Sequence, residues 1–319
     1  MKRLKFSAVA AIVAIFLFAG LVTAGTLADV KAKGFISVGV NEGLFGFSKP
    51  DEKGVWKGLD VDTARAISIA VFGSPDKIKF VPLTAKTRFT ALQSGEIDVL
   101  TRNATQTLTR ESSLGLNFAH VNYYDGQGFL VPKKLGVKSA KELDGATVCV
   151  LPGTTTELNA ADFFRANKMT MKPVVIESTP ELAKAFFAGR CDSLTSDASQ
   201  LAGTRAVAPN PDDYVILPEI ISREPLAPAV RHGDDQWFDI VNFATMAMIE
   251  AEYLGISSKN VDDMLKSGEK EEIFAAAREI VGSLQKPDPP FASDKAVRNA
   301  WRAYTALADQ YNEPGRVSA

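Results

Sequence analysis

Between Ile97 and Arg110 an apolar run, Ile97, Val99 and Leu100, gives way to a polar turn and then to a helix start. Thr107 suits the N-cap, which puts Arg110 three residues into the helix. A guanidinium there can turn inward over the first turn. Asn103, Thr105 and Thr107 add amide, hydroxyl and backbone donors beside it. Such a set can hold a carboxylate, because arginine grips it through two parallel bonds and the smaller donors take the remaining lone pairs. The same segment also suits a surface loop with an exposed arginine. A second candidate lies at Gly153-Thr154-Thr155-Thr156-Glu157, where Thr154 and Glu157 form a capping box. The amides and hydroxyls of such a helix start can receive an anion. Cys191 to Asp197 reads as a strand that ends in an acid.

The elements that must position these residues follow one plan twice. Gly34 to Val40 reads as a buried strand, followed by the Gly-rich loop Asn41 to Phe47 with its large apolar side chains. No GxGxxG and no GxxxxGK[ST] is present, so this is not a nucleotide loop. A loop or hairpin over Lys49 to Lys57 leads to a helix that Asp60 or Asp62 is expected to cap. Ile78 to Leu83 is a strand, Thr87 to Ser94 a helix closed by Gly95, and Ile97 begins another strand. This β-α-β-α-β order implies parallel pairing. Residues 117–131 read as extended chain leaving the first lobe. The second unit then gives a strand at Ala146 to Leu151, a helix from Thr154, a strand at Lys172 to Glu177, a helix over Thr179 to Ala188 and the strand from Cys191. Thr179 and Pro180 are expected at the N-cap and first turn. Residues 220–230 should cross back, and the pattern from Asp234 onward is mostly helical.

The bounds are those of an exported two-lobe chain. Its 319 residues suffice for two lobes with a core each. Lys2, Arg3 and Lys5, the apolar run from Phe6 to Phe18, and Val22-Thr23-Ala24 read as a signal peptide cleaved after Ala24, with a permanent N-terminal anchor helix as the alternative. Removing it leaves 33 basic against 38 acidic residues, a net charge of −5, which argues against a nucleic-acid partner. Export permits a bridge between Cys149 and Cys191; two buried thiols are the alternative. With only His120 and His232, no zinc site is recognisable, and no metal or cofactor is expected.

One phrase occurs twice: helix, glycine, charged pair, strand. It stands as Leu92-Gln93-Ser94-Gly95-Glu96-Ile97-Asp98 and as Phe187-Ala188-Gly189-Arg190-Cys191-Asp192. With Gly58-Leu59-Asp60-Val61-Asp62 and Gly153-Thr154-Thr155-Thr156-Glu157, the chain resembles the polar amino-acid family of periplasmic solute-binding proteins of ABC uptake systems. Within it, Arg88 to Leu100, Leu114 to Ala119, Val121 to Phe129 and Gly233 to Val241 are most similar to the general L-amino-acid-binding type. The resemblance spans roughly residues 33–260.

The resemblance implies an α/β protein of the two-lobed periplasmic binding protein-like II fold. Each lobe is a mixed sheet flanked by helices, and two crossing strands join the lobes. The expected division is 1–24 signal peptide, 25–130 plus 226–319 lobe 1, and 131–225 lobe 2. It implies a monomeric periplasmic binder of L-amino acids that serves an ABC permease. The family's carboxylate-gripping arginine falls on Arg110, its small polar neighbours on Asn103 and Thr105, and its second-lobe pair on Thr154 and Thr155. The acid for the α-ammonium falls on Asp197. Arg102, in the same turn, is not carried to the ligand. Binders of basic amino acids place an acid and a tyrosine where this chain has Asn41 and Leu44, so strict basic specificity is not expected. Leu44, Phe45, Phe47 and Ala85 complete the expected ligand wall. Thr63 stands where a larger apolar residue is usual in the family. The rival is an exported enzyme on the same fold, such as a cyclohexadienyl dehydratase, which would need an acid–base residue at the ligand. Beyond Glu42 and Asp197 the sequence offers none, so no catalytic residue is expected.

Overall fold

The computed structural model describes residues 25–253, 255, 256 and 260. The leader over 1–24, its cleavage site and the tail beyond about residue 260 lie outside the described residues. Helix α1 (Thr26–Lys33) precedes β1 (Ile36–Asn41), whose six residues are all buried. A strand buried on both faces is mostly apolar, and of its polar residues Ser37 donates its amide to Asp98 while Asn41 ends the strand at the cleft. The hairpin β2 (Lys49–Pro50) and β3 (Trp56–Lys57) leads to α2 (Leu59–Phe72). Then follow β4 (Ile78–Leu83), α3 (Arg88–Ser94), β5 (Val99–Leu100), α4 (Leu108–Leu114) and β6 (Leu116–Phe118). β1 pairs in parallel with both β4 and β5, as the β-α-β-α-β order requires. Gly95 closes α3 in the left-handed conformation (φ 80°), which glycine adopts without a Cβ clash.

The chain leaves this sheet through β7 (Tyr123–Asp125) and enters a second one through β8 (Gln127–Pro132). The boundary expected at residue 130 falls inside β8. The second unit contains β9 (Thr147–Val150), α5 (Thr155–Ala166), β10 (Lys172–Val175), α6 (Thr179–Phe187), β11 (Ser193–Asp197), α7 (Ala198–Ala206) and β12 (Tyr214–Ile216). β13 (Glu224–Leu226) returns antiparallel to β7, and β14 (Ala229–Arg231) and α8 (Asp235–Tyr253) complete the first unit. The strand orders are β4-β1-β5-β14-β6 and β10-β9-β11-β8-β12. In each sheet three parallel strands meet an antiparallel fourth, β14 or β8, contributed from beyond the local β-α-β-α-β run.

Each sheet carries its own core. Trp237 of α8 is fully buried against the β1 side of the first sheet, and its Nε1 donates to the Asp98 carbonyl at 3.0 Å. In the second, Leu151, Leu182, Phe186 and Leu194 surround Cys149 and Cys191. These two cysteines form a disulfide between β9 and the segment just before the neighbouring strand β11, with Cα atoms 5.6 Å apart. Alkylation of the native protein under denaturing conditions is expected to label neither thiol before reduction and both afterwards; intact mass reads the result.

Two caps differ from expectation. Asp60 and Asp62 do not cap α2; Gly58 stands at the N-cap at φ 121°, with the Phe47 carbonyl where a Cβ would lie. Asp62 instead pairs with Arg65 at 2.8 Å, and Asp60 turns toward the cleft. Ser178 rather than Thr179 caps α6, because its hydroxyl is placed to accept the Glu181 amide.

Candidate functional site

Both parallel strand sets end their carboxyl edges at one cleft, the usual ligand position in open α/β sheets. There the lobes touch. Ala85, after β4, is buried with Leu151 and Leu182 of the second lobe. Lys86 meets Glu177 at 2.8 Å, and Asn41 Nδ2 lies 3.4 Å from Thr179 Oγ1. The pocket between the lobes is small and partly open to solvent. Arg88, Arg102, Asn103 and Thr105 line it from the first lobe; Thr154, Thr155 and Asp197 face them from the second.

The first-lobe wall is cationic. Thr107 caps α4 as expected, accepting the Arg110 amide at 3.2 Å, and this turns the Arg110 side chain inward. Its guanidinium donates to the Thr105 carbonyl at 2.5 Å and lies 4.8 Å from the Phe89 ring centre. Arg88 lies at the same distance from that ring. Arg102 donates from Nε to the Leu83 carbonyl at 2.8 Å. Arg88 Nε and one terminal nitrogen of Arg102 are buried without a hydrogen-bond partner among the described residues. Burial, and then the nearby Arg110 and Arg102, push the Arg88 pKa well down. Burial lowers Arg102 and Arg110 to about 10 each, so both remain cationic at neutral pH. Three clustered cations favour an anion between them.

The opposing wall is anionic. Asp197 ends β11 and is 5% exposed. Burial, followed by the Asp125 and Glu224 carboxylates, holds its carboxyl well above the usual range, while Arg88 and Arg110 pull it back. A cation placed beside it would favour its ionised form. The pocket therefore offers an anion grip and a cation grip on opposite lobes, and a zwitterion fits that division.

The other residues expected at the ligand are distributed unequally. Asn103, Thr105, Thr154 and Thr155 line the pocket with Asp197. Arg110 stands just behind it, held by Thr105. Leu44, Phe45, Phe47 and Ala85 do not line it. Leu44 and Phe47 pack into a small core with Leu226, where Phe47 meets Tyr123 edge-on at 5.4 Å. Phe45 is 53% exposed, and its backbone abuts Gly203 of the other lobe. Ala85 is spent on the interlobe contact. Arg102, set aside in the sequence reading, is a pocket wall. Arg88 and Glu224 were missed. Arg88 follows the carboxyl end of β4, a position that should have marked it; Glu224 is a single acid in a Pro-flanked crossing strand and carried no motif.

Two lobes with twin mixed sheets, a crossing ribbon and a polar interlobe pocket define a solute-binding protein. The chain belongs to the bacterial extracellular solute-binding proteins, family 3, which it matches over residues 36–263. It is 52% identical to the general L-amino acid-binding periplasmic protein AapJ of Rhizobium johnstonii, over 95% of this chain and 87% of that one. It is 55% identical to the glutamate/glutamine/aspartate/asparagine-binding protein BztA of Rhodobacter capsulatus, over 86% and 80%. A periplasmic binding protein from Brucella ovis, solved with glutathione bound, superposes with a TM-score of 0.79 at 47% identity, over 92% of this chain and 94% of that one. These relatives carry the names of binding proteins rather than of enzymes.

Proposed function

We propose that this chain captures L-amino acids in its interlobe cleft, outside the cytoplasm, and delivers them to an ABC permease. The observation that carries this reading is the split of charge across the pocket, with arginines on one lobe and Asp197 on the other. In this reading Arg110, with Arg88 and Arg102 beside it, faces the α-carboxylate, and Asp197 receives the α-ammonium. Asn103, Thr105, Thr154 and Thr155 take the remaining lone pairs. A ligand bridging both lobes binds the closed form better than the open one and shifts the population toward it. The lobes divide in the crossing ribbon, at residues 123–126 outward and 222–227 on return. The chain acts as a monomer, starts at Gly25 after export to the periplasm, and needs no catalytic group.

Breadth is supported by the loop after β1: Asn41 and Leu44 stand where binders of basic amino acids carry an acid and a tyrosine, so the loop brings neither to select a basic side chain. The buried donors of Arg88 and Arg102 also suit a second carboxylate or an amide. Glutathione, named for the Brucella ovis protein, has an α-amino-acid head at its γ-glutamyl end, so it belongs in the same test. Calorimetry with glutamate, glutamine, leucine, arginine and glutathione is expected to show binding of at least the first three. Binding of one compound alone would remove breadth; binding of none would remove the amino-acid reading.

A further inference from the structure

Glu224 is the most completely satisfied carboxylate near the cleft, and the zwitterion grip described above does not use it. It is 1% exposed. Oε2 accepts from Thr105 Oγ1 at 2.7 Å and from Thr155 Oγ1 at 2.8 Å. Oε1 accepts from Asn159 Nδ2 at 2.8 Å and from Ser222 Oγ at 2.5 Å. Four donors on two oxygens use the acceptor capacity of an ionised carboxylate. A buried charge is retained where its lone pairs are met in this way.

The donors come from different bodies. Thr105 belongs to the first-lobe loop after β5; Thr155 and Asn159 belong to the first turns of α5 in the second lobe. Glu224 itself rides with the first lobe. The Gln106 amide donates to the Pro225 carbonyl at 2.8 Å, Asn122 to Leu226 at 3.0 Å and Ala227 to Ala104 at 3.0 Å. Opening the cleft would therefore leave Thr105 on Glu224 and withdraw Thr155 and Asn159. Thr105 and Thr155 both line the pocket, and their hydroxyls lie 3.4 Å apart beside the carboxylate.

We propose that Glu224 is a positioning residue that latches the lobes at the hinge side of the pocket, coupling closure to the arrangement of the threonines that face the ligand. The proposal rests on the amino-acid-binding reading for its ligand and not for its geometry. Asn159 is the informative site, because it bonds Glu224 without lining the pocket. A charge-assisted bond of this kind corresponds to roughly 10-fold to 100-fold in the closed-to-open ratio.

The test uses Asn159→Ala, Glu224→Gln and the double variant, with L-glutamate as probe and stopped-flow fluorescence as readout. Each single variant is expected to release ligand roughly 10-fold or more faster, with the association rate changed only a few-fold. The double variant should cost less than the sum of the two singles, since Glu224→Gln already removes the charge that strengthens the Asn159 bond. Small-angle scattering of the ligand-free proteins is expected to give a larger radius of gyration for the variants than for the unaltered chain. Asn159→Ala protein that is folded by circular dichroism, releases ligand at the unaltered rate and has an unaltered radius of gyration would overturn the latch, as would fully additive effects in the double variant. If L-glutamate does not bind the unaltered protein, the breadth proposed above fails instead, and the scattering comparison alone decides the latch.

Discussion

Arg110→Ala is expected to weaken amino-acid capture by about 30-fold to several-thousand-fold. Truncating one member of a buried charge pair costs roughly 2–5 kcal/mol, much of it from leaving the other charge without its partner. Here the stranded charge would be the ligand carboxylate. Arg110 is 7% exposed, and its guanidinium lies over Phe89 and is fixed by the Thr105 carbonyl, so it is held preorganised just behind the pocket wall. Arg88→Ala and Arg102→Ala are expected to be damaging as well, because both guanidiniums are buried in the pocket wall. Arg165→Ala is the control; that side chain is exposed on α5 and pairs with Asp162. Calorimetric titration with L-glutamate measures the losses, and circular dichroism establishes that each variant is folded. Folded Arg110→Ala protein that binds as tightly as the unaltered chain would place the carboxylate elsewhere. Loss in Arg88→Ala or Arg102→Ala alone would make that arginine the primary grip.

The sheet order was readable because the relevant signals are local. Apolar runs at Ile36, Ile78 and Ile97, each followed by a helix signal, leave parallel pairing as the compact solution, and β1, β4 and β5 pair that way. The cap at Thr107 was equally local: a hydroxyl three residues before Arg110 fixes where its backbone amide points. The Thr154 cap formed too, though Glu157 reaches back to the Gly153 amide and not to that of Thr154.

What the sequence concealed depends on contacts between distant segments. Leu44 and Phe47 have the right character for a ligand wall, and equally for a core. The decision was made by Leu226, about 180 residues away, which covers them. Arg102 looked like a bystander because its environment comes from Leu83 and from the second lobe, not from its own turn. Glu224 shows the same problem in reverse. Its four donors come from Thr105, Thr155, Asn159 and Ser222, and no spacing in the chain announces their meeting. Asp60 suits a helix cap because an aspartate oxygen readily accepts first-turn amides. Its carboxylate instead accepts the Asn103 amide at 3.0 Å, across the cleft-side surface of the lobe.

That placement of Asp60 leads to the second large expected effect, a pH-dependent stability that Asp60→Asn abolishes. Asp60 is 3% exposed, and burial lifts its pKa from 3.8 to about 7; the Asn103 amide, Arg102 and Arg88 oppose the rise without cancelling it. Because the folded pKa lies above the unfolded one, the fold binds this proton more tightly than the unfolded chain does. The resulting stability is fully present below about pH 4 and is lost as pH rises through about 7. A separation of about three units corresponds to at most ~4 kcal/mol, at 1.36 kcal/mol per unit. Asparagine keeps an oxygen that can accept the Asn103 amide and carries no charge to desolvate, so the variant should lack this slope. Asn103 sits at φ 33°, a conformation non-glycine residues rarely adopt, and the Asp60 bond helps hold it at the pocket wall. The measurement is urea unfolding of both proteins at intervals from pH 4 to pH 8. The variant's stability minus that of the unaltered chain should grow by up to about 4 kcal/mol across this window, most steeply between about pH 5 and pH 6, and level off above pH 7. Parallel profiles over the whole range would mean that Arg88 and Arg102 keep Asp60 ionised in the fold, and that its burial carries no proton-linked cost.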